Sequence, residues 1–180
     1  MFQLTSHELN SFTKQTGFLR NSMEKMLRLL NILSTLKSNP VTKDTFVLKG
    51  GTALNLFILA FPRISYDLDL NYIRFISKSA MFRDRKLISS EIQKMFNSEY
   101  KIEITKDVHA LTQFEFHYQT MSASSDMIKL EINYLVRSPI LAPQVRSFNH
   151  FDLNIEFLCL DFQELFATKS VTLLSRYTPR

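Results

Sequence analysis

The sequence predicts an α+β fold, in which helices pack mainly on one face of a mixed β-sheet. Apolar residues recur at three-to-four-residue spacing near the N-terminus and again after residue 77, which is typical of amphipathic helices. Several later segments alternate apolar and polar residues, which is typical of strands with one buried face. Because the helical stretches lie before and between the extended ones, we expect both to share one core.

Composition and charge narrow the class of protein. The chain has 180 residues, of which 45% are hydrophobic, so it can form one domain with a sizeable core. The N-terminus is polar and no apolar run is long enough to span a bilayer, which predicts a cytoplasmic protein. The single cysteine, Cys159, lies in an apolar run and is interpreted as a core residue rather than a nucleophile. The net charge of +5 permits an anionic partner such as a nucleotide or RNA but does not require one.

The first 40 residues predict two helices. The first is expected to begin at a Ser6 cap and to end near Gly17. The second covers residues 18–36 and is expected to pack against the sheet through an apolar stripe. The stripe comprises Met23, Met26, Leu27, Leu30 and Ile32 or Leu33.

Residues 46–71 predict a strand, a glycine turn, a helix and a second strand. These segments cover residues 46–48, 50–51, 52–61 and 66–73. The second strand carries Asp67 and Asp69, and residues i and i+2 of a strand point to the same face. Two adjacent carboxylates repel each other, and a divalent cation such as Mg²⁺, which prefers oxygen ligands, would relieve that repulsion.

The glycine turn before the helix is the second candidate feature. Gly50, Gly51 and Thr52 stand where a helix begins, and free backbone N–H groups at a helix N-terminus attract anions. Glycines let a phosphate approach the backbone, and the Thr52 hydroxyl would add a donor. The turn is therefore interpreted as a phosphate site. Lys49, just before it, either neutralises a carboxylate or phosphate or simply ends the strand.

The remainder of the chain predicts a helix, four strands and a final helix. The first helix covers residues 77–97, capped by Ser79, and its basic side chains form either a solvated face or RNA contacts. These side chains are Arg83, Arg85, Lys86 and Lys94. The strands are predicted at residues 101–106, 112–118, 128–136 and 154–160, with a loop at residues 138–152. Asp161 and Glu164 predict a capping box for the last helix, which ends near residue 177.

Three motifs within residues 49–70 carry a resemblance. KGGTAL, RIS and DLDL, in that order, resemble the signature of the AbiEii/AbiGii-type nucleotidyltransferase toxins, a branch of the DNA polymerase beta-like nucleotidyltransferase superfamily. The resemblance implies a nucleotidyltransferase-like sheet and metal-dependent transfer of a nucleoside monophosphate (NMP) from a nucleoside triphosphate (NTP). The implied acceptor is RNA, for example a tRNA end, or a protein hydroxyl. It also implies the toxin of a toxin–antitoxin or phage-defence system, with a cognate antitoxin as partner.

The same resemblance implies a set of catalytic carboxylates. Two Mg²⁺ ions are usually bridged by three carboxylates, of which Asp67 and Asp69 supply two. Glu131, on the polar face of the strand with sequence KLEI, resembles the position of the third acid. The alternative is that Glu131 is a solvent-facing acid paired with Lys129.

Further residues match nucleotide-binding positions. Arg63 and Ser65 form the Arg-x-Ser of the resemblance, and a guanidinium suits a phosphate or carboxylate. The alternative for Arg63 is to hold the loop by pairing with Asp67. Lys169 lies in ELFATKSVTLLSR, which resembles a motif whose helix lysine points at the nucleotide phosphates. It shares a stripe with Leu165, Thr172 and Arg176.

Residues 1–180 are interpreted as one nucleotidyltransferase domain. It divides into N-terminal helices (1–40), a catalytic sheet with its helices (41–160) and the start of a C-terminal helical part (161–180). In the resembled family the last helix is followed by more sequence, including an acid implicated in activity. We therefore expect an exposed apolar surface where further helices would pack. The alternative function is a degenerate or truncated transferase fold that binds a nucleotide or a partner without turnover.

Overall fold

A seven-stranded mixed sheet organises the computed structural model, which describes residues 4–59 and 61–176. The strands are β1 (Phe46–Lys49), β2 (Asp67–Tyr72), β3 (Lys101–Val108), β4 (Leu111–Gln119), β5 (Ser125–Asn133), β6 (Gln144–His150) and β7 (Leu153–Cys159). The helices are α1 (Ser6–Thr16), α2 (Arg20–Ser38), α3, α4 (Lys78–Phe96) and α5 (Phe162–Arg176). Here α3 denotes one helical turn, Gly50–Thr52, continued by a π-helical segment, Ala53–Ile58.

The strands are ordered β3-β4-β5-β2-β1-β7-β6. β2 runs parallel to β5, and β1 runs parallel to β7, whereas the other neighbours are antiparallel. The sheet is therefore mixed, and the predicted α+β class is confirmed. The parallel pairing of β2 with β5 brings together two segments that are about sixty residues apart in the sequence.

The two faces of the sheet differ in character. Leu68, Leu70 and Leu130 are fully buried on the face that α2 and α4 cover. On that side the Tyr72 hydroxyl donates to Asp84 of α4 at 2.7 Å. The opposite face carries the charged residues of β2 and β5, and α5 lies against it. Helices thus pack mainly on one face, as expected.

Helix ends differ slightly from the prediction. Thr5, rather than Ser6, caps α1, because its hydroxyl accepts from the Glu8 N–H at 3.2 Å while the Glu8 carboxylate accepts from the Thr5 N–H at 2.9 Å. The helix ends at Gly17, with φ of 74°, as predicted. Ser77, rather than Ser79, caps α4 by accepting from the Ala80 N–H.

Arg85 does not lie on a solvated face. Its side chain is buried, and it donates to the Asp107 carboxylate and to the carbonyl of Leu111 at 3.0 Å. The guanidinium also lies 4.9 Å from the ring centre of Tyr134. Arg85 therefore joins α4 to the sheet, and neither predicted role, solvation or RNA contact, applies to it.

Two segments adopt structures that were not predicted. Residues 138–152 contain β6, which forms a hairpin with β7 in place of a continuous loop. The helix predicted over residues 52–61 is largely π-helical and ends at Ile58 in the described part of the chain. Cys159 is buried as predicted, and burial raises the pKa of its thiol to about 12. The thiol is therefore un-ionised near pH 7 and unsuited to nucleophilic attack.

The last helix, α5, leaves much of its apolar surface uncovered. Leu165 is buried, but Phe166, Leu173 and Leu174 are 59%, 73% and 77% exposed. The expected exposed apolar surface is therefore present on the described part of this helix. In residues 4–59 and 61–176, no helix combines the length and the apolarity that crossing a membrane requires.

Candidate active site

The parallel register of β2 and β5 places charged side chains side by side. Asp69 lies opposite Glu131, and Asp67 lies opposite Lys129. The Lys129 ammonium is 3.2 Å from a carboxylate oxygen of Glu131 and 3.9 Å from one of Asp67. The three acids named from the sequence thus share one face of the sheet, and Lys129, suggested as a pairing partner of Glu131, lies among them.

These carboxylates suit a divalent cation both in their chemistry and in their positions on neighbouring strands. Carboxylate oxygens on adjacent strands are the ligands that Mg²⁺ prefers. Among the residues described, however, no three acidic, histidine or cysteine side chains converge closely enough to hold one ion. The ammonium of Lys129 instead lies near both Asp67 and Glu131. The acids therefore fit a cation chemically, and Lys129 competes with it for Asp67 and Glu131.

The carboxylate of Asp69 lies in an environment that disfavours its charged form. Burial raises its pKa, and the nearby charges of Glu131 and Asp67 act in the same direction, whereas Lys49 and Lys129 oppose them. Lys49 lies opposite Asp69 in the antiparallel register of β1 and β2. An ionised carboxylate in this position is destabilised, and a bound cation would favour its ionised form.

The glycine turn is packed tightly against the site. Gly50 has φ of 71°, and a Cβ there would collide with the carboxylate of Asp69. A Cβ on Gly51 would lie 2.9 Å from the Ser65 hydroxyl oxygen. Gly50 is therefore required by its backbone conformation and by the close approach of Asp69, independently of any phosphate, whereas a side chain at Gly51 would need only Ser65 to shift.

Thr52 is placed differently from the prediction. The side chain is fully buried, and its hydroxyl donates to the backbone carbonyl of Asp67 at 2.5 Å. The hydroxyl hydrogen is therefore already used, so in this arrangement Thr52 cannot donate it to a phosphate. This hydrogen bond instead holds the backbone of β2 at Asp67, the first residue of the strand.

Arg63 is linked to the glycine turn rather than to Asp67. Its Nε donates to the side-chain oxygen of Asn55 at 3.3 Å, and the amide nitrogen of Asn55 donates to the Gly51 carbonyl at 2.7 Å. The predicted alternative, an ion pair between Arg63 and Asp67, is absent from the described structure. Arg63 is otherwise exposed and lies at the edge of the site.

A cavity of about 380 Å³ lies between the charged face of the sheet and α5. Asp69, Lys49 and Gly50 line it from one side, and Lys169 lines it from α5. The structure thus brings Asp69, the glycine turn and the predicted helix lysine to one cavity. The other candidates, Asp67, Glu131, Gly51, Thr52, Arg63 and Ser65, are not among its lining residues. The side chain of Arg176 lies outside the described residues.

Glu164 has a different role from the one predicted. Its carboxylate accepts from the N–H groups of Ile140 and Leu141, each at 3.0 Å, instead of closing a capping box. Asp161 does cap α5, because it accepts from the Gln163 N–H at 2.8 Å. Glu164 thereby ties the segment after β5 to the helix that covers the cavity.

Sequence reasoning missed two asparagines of the cavity. Asn71 and Asn133 line it and lie opposite each other on β2 and β5. Each follows a predicted acid by two residues, Asp69 and Glu131 respectively. The alternation that groups the acids also places both asparagines on the same face, but it assigns them no role.

This mixed sheet, with acids on two neighbouring parallel strands beside a glycine turn, is similar to the fold of nucleotidyltransferase toxin structures. The chain is similar in fold to the nucleotidyltransferase toxin MenT4 from Mycobacterium tuberculosis H37Rv, with a TM-score of 0.63, 16% identity and coverage of 94% of this chain and 59% of that one. The chain is also similar to JHP933 from Helicobacter pylori, with a TM-score of 0.54, 21% identity and coverage of 93% and 57% respectively.

The family of the chain follows from its sequence. The chain belongs to the family described as "Nucleotidyl transferase AbiEii toxin, Type IV TA system", whose profile matches residues 31–180. No curated protein sequence matches it. The chain spans less than two thirds of the length of the two similar structures.

Proposed function

We propose that the protein is a metal-dependent nucleotidyltransferase that moves an NMP from an NTP to an acceptor. The acceptor is RNA, such as a tRNA end, or a protein hydroxyl. The observation that carries the proposal is the cavity in which Asp69, Gly50 and Lys169 meet. Family membership supports the same activity and a role as the toxin of a type IV toxin–antitoxin pair.

The acids are assigned to the metal. Asp67, Asp69 and Glu131 would hold Mg²⁺, as two ions in the family's usual scheme. The bound metal would neutralise negative charge on the triphosphate and activate the acceptor oxygen. Burial of Asp69 and its position opposite Glu131 support this assignment. Before the metal binds, Lys129 balances part of the negative charge of Asp67 and Glu131.

The triphosphate is assigned to the region between the glycine turn and α5. Lys169 and Lys49 line the cavity with Gly50 and supply positive charge, which phosphates attract. Gly51, Arg63 and Ser65 lie around the turn and are proposed as outer contacts to the phosphates. Thr52 acts on this site through its bond to Asp67.

The biological setting extends this proposal. We place the protein in the cytoplasm, with a cognate antitoxin as partner and phage defence as one role of the pair. The division into helices (1–40), catalytic part (41–160) and the start of a C-terminal helical part (161–180) belongs to the same proposal. Family membership supports the toxin role, and the exposed apolar side chains of α5 support the last boundary.

One observation favours a second candidate function. Lys129 neutralises the acids, and in the described residues no three ligands converge on one point. A module that binds nucleotide or a partner without turnover would show the same features. The two functions are distinguished by whether a labelled NMP is transferred to an acceptor.

The test uses NTPs labelled at the α-phosphate, with Mg²⁺ and either total RNA or cell lysate. We expect the chain to transfer label and Asp69→Asn to reduce the rate about a thousandfold, since a lost metal ligand removes several kcal/mol of transition-state stabilisation. Asp44→Asn, at an exposed acid, is the matched control. Transfer that is unchanged in Asp69→Asn would overturn the proposal, and nucleotide binding without any transfer would favour the binding module.

A further inference from the structure

Two asparagines lie one strand step beyond the catalytic acids. Asn71 and Asn133 are opposite each other in the register of β2 and β5, as Asp69 and Glu131 are. Both asparagines line the cavity that Asp69 and Lys169 share. An i to i+2 step along a strand covers roughly 7 Å. The amides therefore lie beside the acids, on the side away from Lys49 and the glycine turn.

The amide of Asn71 has an unsatisfied acceptor. The residue is 4% exposed, and its side-chain oxygen is buried with no hydrogen-bond donor among the described residues. Asn133 differs, because its oxygen accepts from the N–H groups of Leu135 and Val136 at 2.9 and 3.1 Å. Buried polar groups in folded proteins are nearly always paired, so an unpaired amide in a cavity wall indicates a missing donor.

The surroundings identify the kind of donor. Lys49, Gly50 and Lys169 give one part of the cavity the charge that suits phosphates. Asn71 instead lies opposite Val47, two residues along β1 from Lys49, and Val136 adjoins Asn133. The cavity also has apolar lining residues, which suit the flat face of a base. The apolar lining residues are Leu54, Val136, Leu160 and Leu165. A group that reaches Asn71 therefore belongs to the nucleoside half of the nucleotide.

We propose that Asn71 is a specificity-determining residue whose amide oxygen accepts a hydrogen bond from an O–H or N–H group of the nucleoside. The donor is a ribose hydroxyl or a base amine, and Asn133 lies beside Asn71 as a second polar residue of the cavity wall. The inference rests on the proposed nucleotidyltransferase function and names the part of the substrate that this end of the cavity reads.

The test measures equilibrium binding, by calorimetry, of the four NTPs and their 2′-deoxy and 3′-deoxy forms to the whole chain without acceptor. Asn71→Leu keeps the branched shape of the side chain and removes the acceptor, Asn71→Ala is a second variant that adds no bulk, and Asn97→Ala, at an exposed site, is the control. We expect about tenfold weaker binding by the Asn71 variants. A loss shared by all four NTPs and absent for one deoxy form identifies the ribose, and a loss confined to particular NTPs identifies the base.

A second readout separates recognition from a structural role. Because Asn71→Leu removes a buried unpaired oxygen, we expect the nucleotide-free variant to unfold at the same or a higher temperature than the wild type. Unchanged affinity for every nucleotide would overturn the inference at any thermal stability, and label transfer lost in Asp69→Asn would still support the proposed function. Absence of NTP binding by the wild type would overturn both.

Discussion

Gly50 is constrained both by its backbone conformation and by its close contact with Asp69. Its φ of 71° and the carboxylate of Asp69 both exclude a side chain. Gly17 has a similar φ of 74°, but a Cβ there would meet nothing within 4 Å. Comparing substitutions at Gly17 and Gly50 therefore separates the free-energy cost of the left-handed conformation from the cost of displacing Asp69.

We predict that Gly17→Ala lowers the free energy of unfolding by about 1–2 kcal/mol, the cost of a left-handed conformation. Gly50→Ala should cost more, because Asp69 must also move, and label transfer should fall about a hundredfold or more. Urea unfolding and the transfer assay measure the two effects. Equal losses of stability, with transfer intact in Gly50→Ala, would contradict the close approach of Gly50 and Asp69.

Thr52 is the residue whose predicted and observed contacts differ most. We predict that Thr52→Val lowers the free energy of unfolding by about 1–3 kcal/mol, because the Asp67 carbonyl loses its donor. Thr52→Ser keeps the hydroxyl and is the control, with nearly wild-type nucleotide affinity. If the hydroxyl contacts a phosphate instead, Thr52→Val will weaken NTP binding and leave unfolding unchanged.

At the scale of elements, alternation and periodicity predicted most of the sheet and the helices. β4 and β5 were predicted because Phe114, Phe116 and Ile128 alternate with polar residues. β6 was missed because it is an edge strand on which only Phe148 is buried, so its sequence has no apolar alternation. The π-helical form of α3 has no sequence signal in apolar periodicity, which cannot distinguish it from an α-helix.

The site was predictable to the extent that it depends on local alternation. Asp67 and Asp69 share a face because they are two residues apart, and the polar face of β5 identified Glu131. The contacts of Lys129 with both strands depend on the register of β2 against β5, which pairs residues far apart in the sequence. The link from Arg63 to Asn55 depends likewise on how the loop folds back on α3.

Glu24 is the buried acid that anchors α2. It lies off the helix's apolar stripe, yet it is fully buried. Its carboxylate accepts from the Met121 N–H at 2.9 Å and from Arg28 at 3.0 Å. The contact joins α2 to the turn between β4 and β5.

We predict that Glu24→Ala lowers the free energy of unfolding by about 3 kcal/mol, because it leaves Arg28 and a backbone N–H without their acceptor. The control is Lys37→Ala, which breaks an exposed ion pair with Glu156 and should cost less than about 1 kcal/mol. Urea unfolding of both variants checks the difference. Similar losses in the two variants would show that Glu24 is not an anchor.

At the scale of the whole molecule, three distant parts of the chain build one cavity. β2 supplies Asp69, β5 supplies Asn133, and α5 brings Lys169 across the sheet from the far end of the sequence. Glu164, on the same helix, holds the segment after β5 through two N–H groups. The position of Lys169 therefore depends on how α5 packs against the rest of the chain.

The burial of α5 is uneven along its length, since Leu165 is buried while Leu173 and Leu174 are about three-quarters exposed. We predict that the double substitution of Leu173 and Leu174 by Glu changes the free energy of unfolding by less than about 0.5 kcal/mol, because no buried contact is lost. Sedimentation velocity should show less self-association, since exposed apolar patches favour contact between molecules.

Leu165→Glu is the matched control for this helix and should cost at least about 3 kcal/mol, because a charge would be buried against the cavity wall. If the double substitution instead costs more than about 2 kcal/mol, the outer half of α5 is packed in solution and the exposed apolar face of the helix does not exist. If both variants are neutral, Leu165 does not hold α5 to the sheet, and Lys169 must be positioned by Glu164 and Asp161 alone.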